Sequence, residues 1–212
     1  MRKVVVVNHL TLDGVMQAPG RPDEDRRGGF CHGGWSVPYG DAVMGAVMGE
    51  GLAREGALLF GRRTYADFAS VWPDRQDNPF TEVLNKEQKY VVSRTLTEPL
   101  PWANSTLLQG GAADAVTGLK QQPGPDITVL GSGALIRSLM PRNLIDEYLL
   151  MIHPLVLGSG RRLFADGGQL AALRLVDVKP TTTGVIIATY QAAKPAQPPR
   201  VVPAAAVRRT SR

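Results

Sequence analysis

The chain has 212 residues, including 24 Lys or Arg, 19 Asp or Glu and a single cysteine, Cys31. This length suits one domain better than two, and one cysteine excludes an internal disulfide. The net charge of +5 resides entirely in the basic residues from Lys194 onward, so residues 1–193 are neutral and no nucleic-acid partner is expected.

The two ends of the chain set the predicted domain limits. Residues 194–212 are rich in Pro and Ala, contain no acidic residue, and are predicted to form a disordered basic tail. Residues 1–193 are predicted to form one domain. The apolar run at 4–7 is too short for a signal peptide, and no stretch is long enough to cross a membrane. We therefore expect a cytoplasmic protein with no membrane partner.

Hydrophobic periodicity and Gly or Pro breaks divide this domain into strands and helices. Strands are predicted at 4–7, 57–60, 89–93, 106–108, 127–130, 147–157, 173–178 and 185–191. Helices are predicted at 41–55, 62–69, 80–85, 112–121 and from the turn at 131–133 to Leu139. The segment between Gly14 and Gly40 is rich in Gly, Pro and charge, which is typical of a functional or disordered loop.

The order of these elements indicates an α/β fold. Strand and helix alternate through the first two thirds of the domain, which predicts a mostly parallel central sheet with helices on both faces. The last two strands are joined by Pro180-Thr181-Thr182-Thr183-Gly184, which predicts an antiparallel C-terminal hairpin.

The first candidate phosphate-binding motif follows the strand at 57–60. Gly61 ends that strand and a helix begins at once, so the unpaired N–H groups of its first turn can bind phosphate. Arg62 or Arg63 adds a charged planar donor, and Thr64 adds a hydroxyl. A plain strand-to-helix corner with solvated arginines explains the pattern equally well.

A second motif, Ser93-Arg94-Thr95, follows the next strand along the chain. Its two hydroxyls and one guanidinium suit a phosphate monoester, such as the 2′-phosphate that distinguishes NADPH from NADH. Taken alone, it also fits a polar turn after a strand.

The third motif is a glycine turn, Gly131-Ser132-Gly133-Ala134, between a strand and a helix. Glycines let the backbone approach a pyrophosphate closely. The turn is not the Rossmann fingerprint, because Ile136 stands where that pattern needs Gly or Ala. Three such motifs are stronger together than singly, because open α/β sheets bind ligands at the carboxyl ends of their strands.

Metal binding is not expected from the three histidines. His9, His32 and His153 have no metal-ligand spacing, and Cys31 beside His32 lacks further partners.

In chain order, these motifs resemble the dihydrofolate reductase superfamily. The most similar branch is the reductase domain of the bifunctional riboflavin-pathway deaminase/reductase, with its stand-alone relatives. The matching segments are Thr11-Leu12-Asp13-Gly14, Gly61-Arg62-Arg63-Thr64-Tyr65, Ser93-Arg94, Gly131-Ser132-Gly133, Asp146-Glu147 and Pro154–Gly160 with Leu163-Phe164. They span nearly the whole folded part of the chain.

The resemblance implies an NADPH-dependent oxidoreductase that acts on a small heterocycle, like 5-amino-6-(5-phosphoribosylamino)uracil reductase or dihydrofolate reductase. It implies that cofactor phosphates bind at Gly61, Arg62, Thr64, Ser93, Arg94, Gly131, Ser132, Gly133 and Ala134. It also implies that the loop at 14–40 closes over the nicotinamide and that the protein forms a homodimer. The alternative is a non-catalytic or regulatory NADPH-binding module.

The substrate side is open to more than one interpretation. Dihydrofolate reductases hold the pterin with an acidic residue early in the first helix, and Asp41 is the nearest candidate. A helix N-cap explains Asp41 at least as well, and we favour the cap. Asp13 is a second candidate, or else it pairs with backbone in a turn. Arg161 and Arg162 suit a ribose phosphate, although solvated surface arginines are the simpler interpretation.

Overall fold

A computed structural model describes residues 1–164, 167–168 and 170–193; the predicted tail lies outside this part of the chain. The described residues contain one sheet of eight strands. The strands are β1 (Val4–Thr11), β2 (Ala57–Gly61), β3 (Gln88–Val92), β4 (Ser105–Leu108), β5 (Ile127–Leu130), β6 (Glu147–His153), β7 (Leu173–Pro180) and β8 (Ile186–Ala192). Their order across the sheet is β4-β3-β2-β5-β1-β6-β8-β7.

The sheet has the predicted topology. Strands β4, β3, β2, β5, β1 and β6 pair in parallel, whereas β8 runs antiparallel to both β6 and β7. The predictions of a mostly parallel α/β sheet and an antiparallel C-terminal hairpin are therefore confirmed.

Two strand boundaries differ from the predictions for identifiable reasons. β1 continues to Thr11 because it pairs with β6 along its whole outer half, up to the pair Thr11 and His153. β6 ends at His153, four residues earlier than predicted, because Pro154 has no N–H to donate to a neighbouring strand.

The helices cover both faces of the sheet. They are α1 (Ala42–Leu52), α2 (Arg62–Ala69), α3 (Thr81–Lys86), α4 (Ala112–Gln121) and α5 (Gly133–Leu139). Successive residues of β2 show the two layers, because Leu59 packs with α4 and α5 while Leu58 and Phe60 pack with α2 and α3. No helix in the described part of the chain is long and apolar enough to cross a lipid bilayer.

The segment between β1 and α1 is ordered without long regular elements. The Gln17 side chain donates to the carbonyls of Asp25 and Arg27 at 3.0 and 2.9 Å. The Trp35 indole N–H donates to the Gln17 carbonyl at 2.7 Å, and Trp35 packs in a small core with Phe30. These contacts hold the segment in a compact conformation.

Candidate functional site

A cleft of about 1290 Å³ crosses the carboxyl ends of β1, β2, β3 and β5. Helix starts at this edge expose unpaired backbone N–H groups, which makes it the usual ligand edge of an α/β sheet. Every residue expected to bind cofactor lines the cleft: Gly61, Arg62, Thr64, Ser93, Arg94, Gly131, Ser132, Gly133 and Ala134.

The motifs after β2 and β5 are locked together by hydrogen bonds. The Gly61 N–H donates to the Ser132 hydroxyl at 3.0 Å, and the Ser132 N–H donates to the Thr64 hydroxyl at 3.1 Å. On the other side of the turn, the Asn8 amide donates to the Gly131 carbonyl at 3.1 Å. The ends of β1, β2 and β5 therefore form one connected floor.

Close approach explains why the turn contains glycines. Gly131 has a φ of +57°, and a Cβ there would lie 3.1 Å from Thr64 Cγ2. A Cβ on Gly133 would lie 2.5 Å from Met16 Sδ, so the loop side chain rests directly on the turn. Glycine at these positions therefore lets Thr64 and Met16 pack directly against the backbone of the turn.

The motif after β3 joins the same surface. Ser93 Oγ accepts from the N–H groups of Thr95 and Leu96 at 3.1 and 3.0 Å, which holds the turn and leaves the hydroxyl proton for a ligand. Arg62 Nη1 donates to Thr95 Oγ1 at 2.8 Å, which links the β2 and β3 motifs.

Exposed arginines line this half of the cleft. Arg62, Arg63 and Arg94 are exposed, and none of them forms an ion pair with a described acidic residue. Their guanidinium groups can therefore bind phosphate without first losing a carboxylate partner.

The structure does not bring Asp41 into the cleft lining. Asp41 Oδ1 accepts from the Met44 N–H at 2.8 Å and caps α1. Its other oxygen accepts from the N–H and the hydroxyl of Thr182, both at 2.7 Å. These hydrogen bonds, led by that from Met44, hold the pKa of Asp41 below its usual value. The geometry is that of a helix cap tied to the β7–β8 turn.

Asp13 also lies outside the cleft lining. Its carboxylate accepts from the Thr11 hydroxyl at 2.6 Å and from the N–H groups of Leu157 and Gly158 at 3.3 and 2.9 Å. Burial alone would raise the pKa of Asp13, but these hydrogen bonds lower it. Asp13 thus fastens the segment after β6 to the end of β1.

The two neighbouring arginines have different positions. Arg162 Nε donates to the Asp13 carbonyl at 2.7 Å, so this side chain is held outside the cleft lining. Arg161 lines the cleft, and its backbone N–H donates to the Gln17 side chain at 2.9 Å.

The structure adds His9 and His153, which sequence reasoning considered only as metal ligands. The register of β1 with β6 places the two side chains on one face of the sheet as diagonal neighbours, with His9 Nδ1 2.9 Å from His153 Nε2. His9 lines the cleft, whereas His153 is fully buried behind it. The sequence carries no local signal for this contact, because the two residues are 144 apart and meet only through the register of β1 against β6.

Burial and the neighbouring His153 lower the pKa of His9 to about 3. Burial lowers the pKa of His153 to about 4. Both imidazoles are therefore neutral near pH 7, so each carries one proton and one lone pair.

Residues 2–187 match the model of the RibD C-terminal domain family. The chain belongs to this family. It is 33% identical over 195 residues to the uncharacterized protein YyaP of Bacillus subtilis strain 168, which covers 89% of this chain and 94% of YyaP. The resemblance inferred from the sequence motifs is therefore confirmed, and the family points to a reductase.

Solved structures show the same fold. A riboflavin biosynthesis protein from a Shewanella species superposes with a TM-score of 0.64 at 20% identity, covering 91% of this chain and 99% of that one. Dihydrofolate reductase from Enterococcus faecalis, complexed with NADP(H), superposes with a TM-score of 0.56 at 12% identity, covering 91% and 97%. The dihydrofolate-reductase-like fold is thereby confirmed.

Proposed function

We propose that the protein is an NADPH-dependent reductase of a small heterocycle of the pyrimidine or pterin type. The main support is that the three motifs after β2, β3 and β5, each ambiguous alone, line one cleft. Hydrogen bonds join the β2 motif to each of the other two. Plain strand-to-helix corners have no need of such connections across three strands.

The residues present fit the phosphates of a dinucleotide. Gly131, Gly133 and Ala134 line the cleft at the start of α5, and this position suits the pyrophosphate because helix starts have N–H groups to donate. Gly61, Arg62 and Thr64 flank it on the β2 side. Ser93 and Arg94 suit the 2′-phosphate, which would make NADPH the preferred nucleotide.

The order of the strands gives the site a direction. The 2′-phosphate residues follow β3, the pyrophosphate residues follow β2 and β5, and β1 comes next along the edge. Three strand spacings separate β3 from β1, about 14 Å. The nicotinamide would then be held toward β1, where Asn8 and His9 line the cleft.

Bound NADPH supplies a hydride, and the protein has to orient the two reactants and exclude water. The segment between β1 and α1 is suited to this task, because Met16 and Gln17 line the cleft. Arg21 in this segment pairs with Asp67 of α2 at 2.5 Å, which ties the segment to the opposite wall.

We also propose that the protein forms a homodimer in the cytoplasm. β7 is an edge strand with partly exposed Leu175, Val176 and Val178, and apolar edge strands of this kind commonly pair with a second chain. Reducing conditions suit the exposed thiol of Cys31.

The first test is titration with NADPH and NADH, followed by quenching of tryptophan fluorescence, because Trp72 lines the cleft. We expect NADPH to bind more tightly, and Arg94→Ala to remove about 1–3 kcal/mol of that preference. Arg142→Ala is the matched control, because Arg142 is exposed and pairs with Asp114 away from the cleft. Failure of both nucleotides to bind would refute the cofactor assignment.

The second test separates an enzyme from a binding module. NADPH oxidation is followed with a panel of pyrimidine and pterin acceptors. Turnover of any of them supports the reductase. Tight NADPH binding without turnover across the panel would instead favour a regulatory NADPH-binding module. This alternative has support in the structure, because Asp41, the candidate substrate-binding acid, is not part of the cleft lining.

A further inference from the structure

The β1 end of the cleft contains a polar group that the cofactor site does not use. His9 is half-buried and lines the cleft beside Val7, Met48 and Met151, which make this end apolar. His153 lies behind it, fully buried, and its ring packs perpendicular to the rings of Trp35 and Tyr39.

The hydrogen bonds available to His9 and His153 determine which ring nitrogen of each residue carries the proton. His9 Nδ1 and His153 Nε2 lie 2.9 Å apart, and in a neutral pair one nitrogen donates and the other accepts. His153 Nδ1 is buried and has no partner among the described residues. An orphaned buried N–H is rarer than an unused acceptor, so the proton of His153 belongs on Nε2.

The proton position in His153 determines the proton position in His9. If His153 Nε2–H donates to His9 Nδ1, the single proton of His9 must sit on Nε2. No described residue forms a hydrogen bond with His9 Nε2, so this N–H remains for a ligand in the cleft.

We propose that His9 donates a hydrogen bond from Nε2 to a carbonyl oxygen of the heterocyclic substrate, and that His153 positions it. This proposal rests on the proposed function, because it takes the β1 end as the substrate end. His9 touches the substrate directly, whereas His153 acts only through His9.

The acidic residues that line the cleft also favour a substrate that presents hydrogen-bond acceptors. Asp25 is paired with Arg27, and Asp67 with Arg21. The remaining lining carboxylate, Glu24, accepts from the N–H groups of Gly20 and Arg21. Each carboxylate in the described lining thus already accepts from at least one donor, so amino groups of a substrate would compete with the existing partners of these carboxylates.

The test compares two ligands that differ only in donors and acceptors. 6-Aminouracil carries carbonyl groups where 2,4,6-triaminopyrimidine carries amino groups. Each is titrated calorimetrically into protein saturated with NADP⁺, which allows no turnover. We expect 6-aminouracil to bind at least about tenfold more tightly than the triamine.

Two variants of His9 separate the donor from the contact with His153. His9→Asn keeps an acceptor for His153 but lacks the Nε2 donor, and it should weaken 6-aminouracil binding about tenfold. His9→Gln places an amide N–H near the lost donor and should weaken it less. The affinity of each variant for NADPH is measured separately, so that weaker binding of 6-aminouracil is not attributed to a loss of cofactor.

Nitrogen NMR of the free protein tests the proton positions directly. The proposal expects His9 with a protonated Nε2 and a bare Nδ1, and a shift of the Nε2 signal on adding 6-aminouracil. Protonation at Nδ1, equal binding by wild type and His9→Asn, or binding of neither pyrimidine would overturn it. If wild type fails to bind NADPH, the proposed function falls, while the nitrogen spectrum and nucleotide-free titrations still decide the role of His9.

Discussion

The hydroxyl of Thr64, in the first turn of α2, accepts a hydrogen bond from the backbone N–H of Ser132, 68 residues later in the chain, at 3.1 Å. Ser132 has a left-handed φ of +53°, which is unfavourable for a residue with a side chain. The bond to Thr64 and the bond that Ser132 accepts from Gly61 help to hold it there. A side chain of one proposed phosphate motif thus fixes the backbone of another.

Thr64→Val tests this coupling, because valine keeps the shape and removes the acceptor. The Ser132 N–H then loses its partner and the turn is no longer held, so we expect the Kd for NADPH to rise about tenfold. Fluorescence titration measures the change. Thr117→Val is the control, since Thr117 bonds only the Ala113 carbonyl within α4. An unchanged Kd for Thr64→Val would show that the coupling does not serve the cofactor.

Gly131→Ala tests the need for glycine in the turn. The left-handed φ of +57° costs a residue with Cβ about 1–2 kcal/mol, and the new methyl group would lie 3.1 Å from Thr64 Cγ2. We expect the free energy of unfolding to fall by at least that amount in urea denaturation.

The matched control for Gly131→Ala is Gly118→Ala. Gly118 lies within α4, and a Cβ there would have no heavy atom within 4 Å. Alanine should stabilise this helix by about 0.4–1 kcal/mol. Equal effects of the two substitutions would show that the strain at residue 131 is not significant.

Asp41→Ala distinguishes a helix cap from a substrate-binding acid. Loss of the acceptor for Met44 should lower the free energy of unfolding by about 0.5–2 kcal/mol, with no change in NADPH affinity. Asp41→Asn keeps an acceptor and should lose less. Unchanged stability together with a raised KM for a heterocycle would instead place Asp41 at the substrate.

The parts of the fold and site that sequence reasoning predicted are local ones. β2 is a buried apolar run that ends at Gly61, and the turn at 131–133 is marked by its glycines, so both could be recognised within a few residues. Their assignment to one cleft followed from the rule that parallel strands bind ligands at their carboxyl ends. The hydrogen bonds that join them depend on packing and could not be predicted.

The pair of His9 and His153 could not be found in this way. The two residues are 144 apart, and their contact depends on the register of β1 against β6. A shift of one residue would put their side chains on opposite faces of the sheet. Asp41 combines both cases. Its role as a helix cap could be predicted from the local sequence, whereas its hydrogen bonds with Thr182, 141 residues away, could not.

The same pair predicts how stability depends on pH. Histidine titrates near pH 6.5 in the unfolded chain, whereas the folded pKa values of His9 and His153 are about 3 and about 4. Between pH 6.5 and 4 the unfolded state therefore binds more protons, and stability falls as pH falls, by up to about 1.4 kcal/mol per pH unit for each residue. Urea denaturation across this range measures the slope. His153→Gln, which keeps an N–H for His9 but does not titrate, should reduce the slope. A slope that His153→Gln does not alter would mean that His153 becomes protonated in the folded protein, and the assignment of a neutral pair would be wrong.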